Sequence, residues 1–162
     1  MEQLINIRTI IPGDDAQLAT IIRDTLKEFG AAKPGTVYFD ESTDHLSTVF
    51  QQAGSCYFVV TIDEKIAGGG GIFPTENLPE DTCELVKLYL ANSARGRGIG
   101  KLLMEHCEQA ARDFGYRNIY LETMPELKIA VPMYEKMGYQ YLPGSMGNSG
   151  HTGCNIWMRK AL

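Results

Sequence analysis

The chain has no apolar run long enough to span a bilayer, no Cys-x-x-Cys pair, no two histidines at helical ligand spacing and no excess of basic charge. Each absence removes a class of function. A spanning helix needs about 20 consecutive apolar residues, and residues 1–11 lack the basic start, apolar middle and cleavage site of a secretory leader. A cytoplasmic protein without a membrane partner is expected. Cys56, Cys83, Cys107 and Cys154 are widely spaced, and three of them sit among apolar strand or helix residues, the pattern of buried reduced thiols rather than of disulfides. His45, His106 and His151 are equally scattered, so no metal is expected. The formal charge of −5 would repel a phosphate backbone everywhere except at a local basic patch, which argues against nucleic acid as a partner.

What is present is 162 residues, 44% hydrophobic and 22% charged, enough for one globular domain over residues 1–162. Residues 4–11 alternate as a half-buried strand, and Leu18, Ile21, Ile22, Leu26 and Phe29 form one apolar stripe on a helix over 16–29. A loop over 31–39 leads to a short helix over 44–52. Residues 56–62 and 65–73 read as an antiparallel hairpin turning at Asp63-Glu64. The run Gly68-Gly69-Gly70-Gly71 inside its second strand weakens a ladder unless something needs the space; a bulged or closely packed strand is preferred to a second nucleotide loop. A strand over 83–90 follows. The next helix, over 101–114, turns Leu102, Leu103, Cys107, Ala110, Ala111 and Phe114 inward, and a short strand centres on residues 119–121. A helix over 126–137 with a kink at Pro132, and strands over 139–142 and 154–159 around a loop of residues 143–153, complete the chain.

Between the strand over 83–90 and the helix after it lie Arg95-Gly96-Arg97-Gly98-Ile99-Gly100. Glycines let a backbone turn sharply and approach a ligand, so that several amide hydrogens point at one anion while the helix start adds about half a positive charge. Arg95 and Arg97 add full charges, and each charge-assisted hydrogen bond contributes roughly 1.5–3 kcal/mol. The turn reads as a pyrophosphate cradle. It is not a dinucleotide fingerprint, because Lys101 stands where the last glycine of G-x-G-x-x-G belongs, and it is not a P-loop, because Leu102 stands where a hydroxyl should hold magnesium.

Arg95-x-x-Gly98-x-Gly100 after a strand, with Tyr134-x-x-x-Gly138-Tyr139 ending the next helix but one, resembles the GNAT superfamily of acyl-CoA-dependent N-acetyltransferases. The resemblance is firmest over 83–141. It implies an α/β fold with a mixed, mostly antiparallel central sheet of six to seven strands flanked by about four helices. It also implies acetyl-CoA as co-substrate, its pyrophosphate on the turn of Arg95, Gly96, Arg97, Gly98, Ile99, Gly100 and Lys101, and its pantetheine arm on the backbone of Leu88, Tyr89 and Leu90. Many members carry an asparagine seven residues before the tyrosine; this chain has Leu127, which cannot make that hydrogen bond. Homodimers are common in the family, though no apolar surface stripe marks one here.

Acyl transfer to an amine needs a neutral nucleophile, and deprotonating a lysine-like ammonium at pH 7 costs roughly 4–5 kcal/mol. Glu84 stands eleven residues before Arg95, where histone-type relatives place a general base. The resemblance assigns it that role, acting through water; the plainer reading pairs it with Lys87 or Arg8. The leaving thiolate needs a donor, which by resemblance is Tyr134; spacing with Ala130 and Met137 equally suits a core tyrosine. Acceptor contacts are expected from Tyr38, Asp40, Glu122 and His151, whose acidic bias points to a cationic primary amine of a small molecule. Two other functions stay open: a module that binds acyl-CoA without turning it over, and an acetyltransferase acting on a protein or aminoacyl-tRNA.

Overall fold

The computed structural model describes residues 2–162; Met1, the first residue of the stretch read above as lacking a leader, lies outside them. The elements in chain order are β1 (Ile5–Thr9), α1 (Asp15–Glu28), the single turn α2 (Leu46–Val49), β2 (Cys56–Ile62), β3 (Lys65–Phe73), β4 (Thr82–Leu90), α3 (Ile99–Asp113), β5 (Asn118–Thr123), α4 (Ala130–Lys136), β6 (Gln140–Leu142) and β7 (Ile156–Ala161). The strands form one seven-stranded sheet in the order β1-β2-β3-β4-β5-β7-β6. Every pairing is antiparallel except β4 with β5, which the α3 crossover makes parallel.

The helices cover both faces. On one face Leu18, Ile22 and Leu26 of α1 and Leu46 of α2 pack on Tyr57 and Val59 of β2. On the other, Met104, Cys107 and Ala111 of α3 and Tyr134 of α4 pack on Leu85, Ile119, Leu121 and Met158, while Ile99 and Leu103 pack on Val60. The expected α/β class, strand count and helix count are those observed.

Several local expectations are corrected. Leu102 and Phe114 of the third helix are exposed rather than inward, because a turn of 3.6 residues puts Ile99, Leu103, Met104, Cys107 and Ala111 on the sheet side. The short helix over 44–52 shrinks to Leu46–Val49, preceded by 3-10 turns at Val37–Phe39 and Glu41–Asp44. α4 starts at Ala130, not at residue 126, so Pro132 falls within its first turn. There the missing N–H has no helical partner to lose, and no kink is required. β7 runs two residues later than expected, to Ala161. The four cysteines are free thiols, and no described helix is long and apolar enough to cross a membrane.

Candidate active site

β4 and β5 are hydrogen-bonded over three residues only, Thr82–Glu84 against Asn118–Tyr120, and then part. A cleft of about 560 Å³ opens where they diverge, lined by the second half of β4, the end of β5, the glycine turn and α4. Strand alternation makes it a passage through the sheet. Leu85, Leu121 and Tyr134 belong to the core under α3 and α4, whereas Val86, Tyr89 and Met124 belong to the core under α1.

The glycine turn forms one end. Gly96 and Gly98 have φ of +71° and +75°, a region in which a side chain on an L-residue is strained. A Cβ at either would meet open space, so conformation and not crowding requires glycine there. No amide from Gly96 to Lys101 donates to a protein acceptor among the described residues, while Leu102 already donates to the Gly98 carbonyl at 3.2 Å. A row of unpaired amides at the start of a fifteen-residue helix fits an anion. The Arg95 side chain departs from expectation. Its guanidinium donates to the Leu90 carbonyl at 3.1 Å, pairs with Glu28 and lies 4.9 Å over the Phe29 ring. That charge is engaged by α1 and fastens the turn to the fold, although Arg95 still lines the cleft together with Lys101; Arg97 and Ile99 are not among the lining residues.

At the other end, Glu84 is 3% exposed. It accepts a 2.6 Å hydrogen bond from the Thr75 hydroxyl on Oε1 and lines the cleft. Burial raises the Glu84 carboxyl to about 7, against the lowering effect of Thr75 and with help from the nearby Glu122 charge. Neither suggested ion-pair partner is used: Arg8 pairs with Asp14 at 2.8 Å and Lys87 with Asp40 at 3.2 Å. Asp40 also meets His151 Nε2 at 2.6 Å, and these partners outweigh its desolvation and hold its carboxyl below the ordinary value. Glu122 accepts from the Tyr120 hydroxyl at 2.6 Å and from Ser149. The Tyr120 hydroxyl in turn accepts the Met146 amide at 3.2 Å. Thus the loop of residues 143–153 crosses this end of the cleft. Glu84, Glu122 and His151 bring ligand atoms within 4.8 Å of one another, a spacing able to receive a cation of either kind, metal or ammonium. Tyr38 does not join them; its ring meets Phe39 edge to face at 5.0 Å, and neither it nor Asp40 lines the cleft.

Between the two ends Tyr134 lines the cleft at 6% exposure, and burial drives its hydroxyl upward, keeping it protonated. Leu88, Tyr89 and Leu90 line the passage along β4. The Thr123 hydroxyl is the one fully buried side-chain polar atom without a partner among the described residues, and Thr123 lines the same cleft. Cys154 also lines it, but burial pushes its thiol to about 12, as it does that of Cys83. Neither is a ready nucleophile.

The sequence model of the Acetyltransferase (GNAT) family matches residues 18–139, about three quarters of the chain. The chain belongs to the GNAT family. Over 157 residues, 96% of this chain and 94% of the relative, it is 34% identical to the protein named Uncharacterized N-acetyltransferase YjgM of Escherichia coli (strain K12). It is 30% identical over 138 residues to human N-acetyltransferase 8B, covering 81% of this chain but only 58% of that longer relative. The fold is shared with a GNAT-family acetyltransferase of Staphylococcus aureus Mu50, at a TM-score of 0.82, 16% identity and coverage of 98% and 99%. It is shared too with the PaiA N-acetyltransferase of Thermoplasma acidophilum in complex with coenzyme A, at 0.76, 18% identity and coverage of 98% and 99%. The protein is accordingly an N-acetyltransferase.

For this GNAT enzyme, sequence reading missed Thr123, Lys136 and Cys154 in the cleft and understated Lys87. Only Lys87 carried a signal, a lone charge inside the run Leu85-Val86-Lys87-Leu88.

Proposed function

We propose that this enzyme, a single domain over residues 1–162, moves an acetyl group from acetyl-CoA to the primary amine of a small cationic molecule by direct attack in a ternary complex. One observation carries the reading: the parting of β4 from β5 joins a row of unpaired amides on one side to Glu84, with its carboxyl at about 7, on the other. The cleft suits the co-substrate on this chain's own features, since the amides of residues 96–101 want an anion and the Thr123 hydroxyl wants any partner.

Acetyl-CoA, when bound, supplies an electrophilic thioester carbonyl. Gly96 to Lys101 hold its pyrophosphate, and backbone groups of Leu88 to Leu90 its pantetheine arm. Glu122 and His151 orient the ammonium, while Asp40 fixes the imidazole. Glu84 takes the amine proton, directly or through water, with a carboxyl matched to neutral pH. Tyr134 donates to the departing sulfur. No cysteine is asked to carry the acetyl group, and the acid–imidazole cluster is read as an ammonium site without metal.

The loop of residues 143–153 favours a small acceptor over a protein or aminoacyl-tRNA, because its bonds to Glu122, Tyr120 and Asp40 close off the side an extended chain would occupy. Mass spectrometry of an amine panel incubated with acetyl-CoA tests the proposal. Acetylated small amines, with product lost in Glu84→Gln and Tyr134→Phe, support it. Coenzyme A binding with no product from any amine leaves a non-catalytic binding module and refutes the transfer.

A further inference from the structure

The four consecutive glycines of β3 have no part in the chemistry above, yet each is tightly packed. A Cβ at Gly69 would lie 2.5 Å from the Tyr57 ring, one at Gly71 2.8 Å from the same ring, one at Gly70 2.4 Å from the Leu88 side chain, and one at Gly68 2.2 Å from the Tyr89 carbonyl oxygen. Tyr57 belongs to β2 and is 0% exposed. Because β3 has no side chains in its way, the ring lies across that strand and its hydroxyl donates to the Lys87 carbonyl on β4 at 2.8 Å. A side chain on β2 thereby holds a peptide group two strands away.

That peptide group is not an ordinary one. The β3–β4 register shifts there: Gly71 faces Val86 and Gly69 faces Tyr89, so Lys87 and Leu88 together oppose Gly70. This is a β-bulge. Lys87 has φ of +51°, a left-handed conformation that a lysine keeps only when its surroundings over-determine it. The bulge is pinned twice, by Tyr57 at the Lys87 carbonyl and by Asp40 at the Lys87 ammonium. Tyr89 and Leu90 follow the bulge, and with Leu88 they lie in the part of β4 that has left β5.

We infer that Tyr57 is a positioning residue for cofactor binding: seated on Gly69 and Gly71, it locks the Lys87 bulge and so aims the backbone of Leu88 to Leu90 into the cleft. The glycine run is then the channel for this tyrosine rather than a nucleotide loop. The inference rests on the reading of the cleft as the acyl-CoA site, and the test separates the two.

Tyr57→Phe keeps the ring and removes only the hydroxyl. Hydrogen–deuterium exchange of the free protein should show the amides of residues 87–90 exchanging about tenfold faster while those of β1 and β7 hold their rates. Calorimetry should show the dissociation constant for coenzyme A rising about tenfold. Gly69→Ala, which pushes the ring from its seat, should do the same; if that variant fails to fold, Tyr57→Phe decides alone. Unchanged exchange at residues 87–90 overturns the inference. So does faster exchange there, or spread evenly over the sheet, with affinity for coenzyme A unchanged. If the wild-type protein takes up no coenzyme A, the functional reading fails, and the exchange rates still decide whether Tyr57 holds the bulge.

Discussion

Glu84 is a carboxylate in a place that resists charge. With 3% exposure and Glu122 close by, its carboxyl rises from 4.5 to about 7. The folded state therefore binds a proton more tightly than the unfolded chain. Stability from this group is complete below about pH 4.5 and is lost as pH climbs through about 7. At about 1.36 kcal/mol per pKa unit, the cost of keeping Glu84 ionised at pH 8 is on the order of 3 kcal/mol. Glu84→Gln should consequently melt several degrees higher than wild type at pH 8 and about the same at pH 4.5, as read by calorimetric scans. The same variant should lose roughly 100-fold in kcat/KM, together with the rising limb of the pH–rate profile near 7. A gain in stability with a loss of rate marks a residue strained for function. Tyr134→Phe should lower kcat by about tenfold or more and leave coenzyme A affinity nearly intact, since the hydroxyl is needed only as sulfur departs.

At the scale of elements, the cleft depends on backbone more than on side chains. β4 must leave β5 after Glu84, and α3 must begin on a turn whose glycines take φ above +70°. Gly98→Ala places a Cβ in that left-handed region, a strain of about 1–2 kcal/mol. Because the added methyl meets open space, the variant should fold, with a melting point a few degrees lower and a raised KM for acetyl-CoA. Much of this element was legible beforehand. The spacing of Leu18, Ile22 and Leu26 marks α1, and glycines after an apolar strand mark the turn, because both are local rules of geometry. Pro132 misled, since a proline in the first turn of a helix and one in its middle look alike until the helix start is known. The Arg95 pairing with Glu28, and the seat of Tyr57 on two glycines, depend on which strands and helices become neighbours, and no local pattern carries that.

Over the whole molecule, one histidine and three carboxylates that lie far apart along the sequence converge where the sheet opens. Glu84 comes from β4, Glu122 from β5, and His151 and Asp40 from loops that close over both. Asp40 pairs with both Lys87 and His151, while Glu84 and Glu122 bring oxygens within 4.8 Å of His151, and the proposed acceptor ammonium would lie beside these two glutamates. Acetylation of cationic amines should exceed that of neutral amines of the same size by roughly tenfold in kcat/KM, and the preference should shrink as salt rises. Glu122→Gln should shrink it too. Dialysis against EDTA should leave the rate unchanged, because the proposed chemistry routes nothing through a metal.

In the proposed function the glycine turn and the parted strands act together as an acyl-CoA site. Calorimetric titration of the purified protein with coenzyme A tests this most directly. One site of micromolar dissociation constant is expected, weakened several-fold in Gly98→Ala; absence of binding heat across temperatures, or binding unmoved by that substitution, rules such a site out.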